Sequence, residues 1–131
     1  MMSPQLFVTP IFAAIMTVML IVLSYRVIRA RWRHRVPFDD GGIGELTRTI
    51  RSHGNFVEYV PLCLFLMAMS ELNATSHWSL YLTGTILLLG RLFHAFGVSK
   101  KIFKLRVYGM SLTFTALIGA TIMLITTLFN L

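Results

Sequence analysis

Cysteine is nearly absent: Cys63 is the only one in 131 residues. That excludes an internal disulfide and any metal site built from several thiolates. Its neighbours, Pro61-Leu62-Cys63-Leu64-Phe65, mark it as a small buried apolar side chain, because a reactive thiol needs an electropositive setting. Acidic residues are scarce as well, five against twelve lysines and arginines, for a formal net charge of +7. The chain has no paired-carboxylate site, no phosphate-cradling glycine loop and no Ser/His/Asp order. Charged residues make up only 13% of the chain and hydrophobic residues 56%, with a mean hydropathy of +0.73. A soluble domain this small buries too little of its chain to hide so much apolar surface. Nucleic-acid binding would need a basic face on a soluble module. Here the cations stand beside long apolar runs instead. Membrane orientation, with contact to anionic headgroups or an anionic ligand, accounts for them.

Four apolar stretches are present, and about 20 residues suffice to cross a bilayer. The first runs from about Leu6 to Ile28. It has no basic segment before it and its arginines come after it, so it reads as a retained helix rather than a signal peptide. A polar connection follows from Arg29 to Gly44, closed by the turn-forming string Pro37-Phe38-Asp39-Asp40-Gly41-Gly42. The second helix is expected from about Glu45 to Leu72, polar in its first half, the third from about Trp78 to Val98, and the fourth from about Tyr108 to Phe129. There is no repeat, low-complexity tract or second domain, so residues 1–131 read as one four-helix, all-α membrane domain.

The charges give the topology. Arg26, Arg29, Arg31, Arg33, Arg35, Arg48 and Arg51 flank the first connection, and Arg91, Lys100, Lys101, Lys104 and Arg106 flank the third. Together these are the whole basic complement; the N-terminal segment, the middle loop and the C-terminus hold none. Such a bias puts both termini outside and both basic connections in the cytoplasm of a bacterial-type inner membrane. Trp32 and Trp78 fall near opposite span ends, where interfacial tryptophans gather. On the fourth helix Ser111, Thr115 and Gly119 recur every four residues, a spacing that lets helices approach closely.

The second helix carries the unusual chemistry. Arg48, Arg51, Asn55 and Glu58 fall within an arc of about 80° at 100° per residue. A carboxylate within a span is costly, so Glu58 is expected to face protein or a watery cavity, with Arg51 or Asn55 as candidate partners. Two readings compete: a structural polar cluster tying helices together, or a cleft for an anionic or zwitterionic ligand. The excess of cation over anion favours the cleft. On the third helix Arg91 and His94 lie one turn apart at the cytoplasmic end, where Arg106 opens the fourth helix, so the three positions and the second-helix face converge at one depth. Arginine suits planar carboxylates through its donor fork and lowers the pKa of a nearby thiol. Lys100, Lys101 and Lys104 read as a solvated topology signal, and His53 and His94 as hydrogen-bonding groups rather than haem ligands. No metal site is expected.

The stretch Arg51-Ser-His-Gly-Asn55-Phe-Val-Glu58-Tyr59-Val-Pro61 resembles the signature of the MAPEG family, the membrane-associated proteins of eicosanoid and glutathione metabolism. Asp40-Gly41-Gly42, Glu45-Leu46 and Gly90-Arg91-Leu-Phe-His94 are similar to its small bacterial branch. The likeness extends from about Ser24 to Met110. It implies a homotrimer of four-helix subunits that binds glutathione, as co-substrate, between neighbouring subunits and open to the cytoplasm. The motif's ligand-holding residues fall on Arg51, Asn55, Glu58 and Tyr59, and His53 matches a polar position that touches the ligand in relatives. Ser24-x-x-Val27-Ile28-x-Ala30-Arg31 matches the end of the family's first helix, where Arg31 would grip a glutathione carboxylate. Arg91 and His94 join this binding set, and Arg106, with Lys104 as competitor, matches the thiolate-stabilising arginine. Where eicosanoid-making members carry tyrosines on the third helix, His94 and Val98 stand here, which argues against a prostaglandin or leukotriene synthase.

The chemistry implied is thiol activation by Arg106 and attack on a hydrophobic electrophile arriving through the bilayer, as in a glutathione transferase or peroxidase. Two alternatives stay open. One is a non-catalytic lipid- or ligand-binding member of the same fold, suggested by Val98. The other is a small ion-coupled transporter using Glu58, for which the surrounding arginines make a poor cation path.

Overall fold

A computed structural model describes residues 5–129, which form four helices: α1 (Val8–His34), α2 (Gly44–Leu72), α3 (His77–Lys100) and α4 (Phe103–Phe129). At about 1.5 Å per residue each is long enough to cross a hydrocarbon core of about 30 Å. Apolar side chains cover the outside of the bundle, Val18, Ile21 and Phe65 among them. Trp32 and Trp78 are 81% and 84% exposed, as rings seated at headgroup level would be.

Two helices outrun their apolar stretches at the basic end. α1 continues past Ile28 through Arg29, Arg31 and Arg33 to His34, and α4 begins at Phe103, so it already contains Lys104 and Arg106. Arginine and lysine are good helix formers, their stems can lie along apolar surface, and cations suit the C-terminal end of α1. Hydropathy therefore ends before the helix does. α1 stops at Arg35, which takes a left-handed conformation at φ 54°, and the Val36 N–H donates back to the Arg31 carbonyl at 3.1 Å.

The connection from α1 to α2 is tied down by its few acids. Asp40 accepts the Gly42 N–H at 3.0 Å and the Thr47 hydroxyl at 2.8 Å. Those two donors, the backbone N–H first, hold its carboxyl below the ordinary carboxylate range. Glu45 in the first turn of α2 receives Arg33 and His34, each at 2.8 Å. These pairs are half exposed and fix geometry more than they stabilise.

At the opposite end the tie is a buried carboxylate. Glu71, one residue from the end of α2, accepts the backbone N–H groups of Phe7, Val8 and Thr9 at 2.7, 2.6 and 2.8 Å. A helix leaves its first N–H groups without internal partners. In a bilayer no water stands ready to take them. The neighbouring helix supplies the cap that α1's own sequence lacks.

Within the bundle α2 touches each of the other three helices, while α1 lies against α2 and α3 and does not reach α4. Phe12, Met16, Phe56, Met67, Leu80 and Leu87 fill the shared core. Cys63 is fully buried among them, as its apolar neighbours suggested. α3 and α4 form the closest pair. The contact face of α4 is Gly109, Thr113, Ala116 and Ala120. Ser111 and Thr115 are exposed and Gly119 half-buried, so the expected small-residue stripe faces away from the intrachain seam. The spacing was right, but the helix carries two small faces and only packing chooses between them.

Candidate functional site

The first half of α2 divides its polar residues between inside and outside. On the inner side a hydrogen-bonded group joins three helices. Arg91 of α3 is 0% exposed. Its Nη1 donates to Asn55 Oδ1 of α2 at 2.8 Å and reaches Thr113 Oγ1 of α4 at 3.5 Å. Its Nη2 meets His94 Nδ1 at 3.3 Å. The guanidinium lies 5.6 Å from the centre of the Phe56 ring, within cation–π range. No carboxylate pairs with it among the described residues, and its Nε has no partner. A buried cation without a counter-ion is expensive, so this cluster is held in place by the surrounding packing.

Arg91 and His94 were expected to meet a ligand directly. Both lie inside the bundle: Arg91 holds Asn55 from behind, and His94 bonds Arg91. The convergence of α2 and α3 at one depth, read from spacing, takes this form.

The outer side of α2 is open. Arg51, Glu58, Pro61, Leu62, Phe65 and Met69 are all exposed on the chain. They fall within an arc of about 100°. Arg51 and Glu58 do not pair with each other: the ion pairs among the described residues are both made by Glu45. Two helical turns separate them, about 10 Å along the axis, too far for direct contact. Glu58 therefore points out of its own bundle, and neither Arg51 nor Asn55 partners it within the chain among the described residues. Asn55 and Tyr59 line one border of this face, half-buried, with the Tyr59 ring packed edge-on against Phe114 of α4 at 5.3 Å. His53 points the other way and bonds Ser24 of α1 at 3.1 Å.

Arg106 is exposed at the start of α4, and its backbone is fixed although its side chain is free. A Cβ added at Gly97 would strike the Arg106 backbone nitrogen, and one at Gly109 would strike the backbone nitrogen of His94. The two glycines let α3 and α4 touch backbone to backbone, so the Arg106 Cα has little play. Lys104 is exposed as well. Arg31 ties the α1–α2 connection together: its Nη1 donates to the Asp39 carbonyl at 2.8 Å and to that of Val36 at 3.3 Å. It also lines two open cavities of about 490 Å3, one walled by Ile28, Trp32 and Pro37, the other by Asp39, Asp40 and Ile50.

Sequence reading missed two groups. Glu71 was not singled out; a lone carboxylate near the end of a spanning helix, two residues before Asn73, was the available signal. The burial of Arg91 was also missed, although Gly90 beside it marks a close helix approach. Among the described residues no cluster of His, Cys, Asp and Glu could hold a metal ion.

Comparison with known proteins adds to this geometry. Residues 9–126 match the model of the MAPEG family. Over 111 residues, 85% of this chain and 85% of the relative, the sequence is 40% identical to the inner membrane protein YecN of Escherichia coli strain K12. The YecN protein of Escherichia coli O6:H1 matches to the same extent.

Proposed function

This chain belongs to the MAPEG family, and from that premise we propose that it binds glutathione between neighbouring copies and delivers it to hydrophobic electrophiles dissolved in the bilayer. The protein is an integral, multi-pass inner membrane protein. One observation carries the rest: Arg51 and Glu58 are exposed on the same face of a membrane-crossing helix, with no intrachain partner among the described residues. Charges turned to lipid are costly, so this face is covered by protein. The half toward the basic end is polar and takes an anionic, zwitterionic ligand. The half beyond Glu58, with Leu62, Phe65 and Met69, is apolar and packs on a neighbouring copy. A homotrimer closes such a face with one repeated contact.

Arg51 and Arg31 suit glutathione's carboxylates, Glu58 its ammonium group, and Asn55 and Tyr59 its peptide groups. With both termini outside, as the positive-inside rule directs, the polar half opens to cytoplasmic glutathione. The Arg106 guanidinium stabilises the thiolate. With an aryl chloride as electrophile, the thiol proton passes to water, the carbon–sulfur bond forms and chloride leaves. A non-catalytic, glutathione-binding variant of the reading is favoured by one feature, the half-buried Val98 where eicosanoid-making members of the family carry a tyrosine.

Purified protein is expected to bind glutathione calorimetrically and to conjugate an electron-poor aryl chloride, with binding lost in Arg51→Ala. Binding without turnover selects the non-catalytic variant. Absence of both removes the proposal.

Gly54 supplies a separate test. It sits between Arg51 and Glu58, and a Cβ there would meet nothing within the chain. Glycine inside a helix costs about 1 kcal/mol relative to alanine, and the fold gains nothing from it here. A ligand backbone lying against α2 explains the vacancy. Gly54→Ala is expected to raise the melting temperature slightly and to weaken glutathione binding several-fold. Stabilisation with unchanged affinity would separate Gly54 from the site.

A further inference from the structure

Away from the α2 face, a groove runs between α1 and α3 where these helices diverge. Its volume is about 630 Å3. Ile15 and Val22 on α1 and Leu88 and Phe96 on α3 form its walls, and Arg26, Ser99 and Lys100 close one end. Arg26 Nη2 donates to Ser99 Oγ at 2.5 Å, joining the two helices at that end.

The dimensions match one lipid leaflet. From Ile15 to Arg26 the α1 wall rises about 16 Å, half of a hydrocarbon core of about 30 Å. The groove therefore starts near mid-bilayer and ends at headgroup level. Its walls are apolar over that depth, and its charged lining residues, Arg26 and Lys100, are both cations at the headgroup end. Neither has a carboxylate partner among the described residues.

A second copy of the chain could not neutralise them readily. Of five acidic residues, Asp40 is engaged with Gly42 and Thr47, Glu45 with Arg33 and His34, and Glu71 with the start of α1, while Asp39 sits in the α1–α2 connection, lining a cavity with Arg31. Glu58 belongs to the α2 face. An anion from the membrane itself is the available complement, and basic residues near the surface attract anionic lipid. We propose that this groove is a binding site for one anionic phospholipid, with an acyl chain between α1 and α3 and the headgroup phosphate on Arg26 and Lys100. The site is independent of the glutathione face, because none of its lining residues belongs to that face.

Native mass spectrometry of the full chain, released from micelles containing equal phosphatidylglycerol and phosphatidylcholine, tests it. Wild type is expected to retain phosphatidylglycerol with a preference on the order of tenfold or more. Arg26→Gln with Lys100→Gln brings the preference near parity. Val22→Trp, which fills the groove and keeps both cations, lowers retention of either lipid. Helical circular dichroism checks that each variant folds. Equal retention by wild type, or a preference the paired glutamines leave intact, overturns the proposal. So does oxidative cross-linking of Val22→Cys to a second copy, which would make the groove a protein interface.

Discussion

A Glu71→Ala variant is expected to lose on the order of 3 kcal/mol of stability, or roughly 10 °C in melting temperature. The carboxylate accepts three backbone N–H groups at the start of α1. Truncation leaves all three without an acceptor, at a helix end where α1's own sequence offers no side-chain cap. Glu71→Gln keeps one carbonyl oxygen and turns an amide N–H toward the third donor, so it should recover only part of the loss. The effect belongs to the link between local structure and packing, and glutathione affinity should survive it, because Glu71 stands at the opposite end of α2 from Arg51. A thermal shift of the alanine variant in detergent measures it. A change within about 2 °C of wild type would mean that water replaces the carboxylate freely.

Arg106→Ala should slow conjugation roughly a hundredfold, the scale of removing one donor aimed at a developing or bound anion, while glutathione affinity changes only a few-fold. The asymmetry follows from position. Arg51, Asn55 and Glu58 hold the tripeptide, whereas a cation beside sulfur acts on the thiolate and adds little to binding of the thiol. Lys104→Ala should stay within a few-fold of wild type in both respects. The backbone contact between Gly97 and Arg106 is why the arginine is the better anchored of the two. Ultraviolet difference spectra reporting the bound thiolate, measured beside the rate, give the check. A lost thiolate signal in Lys104→Ala and not in Arg106→Ala would exchange their roles.

The fold was legible because a membrane imposes few choices. Apolar length gives the spans, and the placement of Lys and Arg gives an expected orientation across the bilayer. Helix ends were less legible. Arg29 to His34 continue α1, and Lys104 and Arg106 belong to α4, because charged residues at an interface keep helical geometry after hydropathy has fallen. The α2 face was readable from periodicity alone, since Arg51 and Glu58 fall on the same side whatever lies opposite. The direction of that face was not: an open polar stripe looks identical in sequence to one turned inward. Arg91 shows the same limit. Its spacing from His94 put it at the right depth, but burial depends on Gly90 and Gly109 bringing α3 and α4 together. The role of Glu71 was not legible, because its partners, the N–H groups of Phe7 to Thr9, leave no mark in side-chain chemistry.

The exposed α2 stripe is most directly tested between Arg51 and Glu58, at Gly54, where an added Cβ meets nothing within the chain. A Gly54→Cys variant in a Cys63→Ala background offers a single thiol for labelling by a charged, membrane-impermeant maleimide. The account predicts labelling, slowed when S-methyl glutathione, which has no free thiol, is added. Reaction only with a lipid-soluble maleimide, at a rate indifferent to that analogue, would show Arg51 and Glu58 bordering lipid rather than a wet site, and would contradict it.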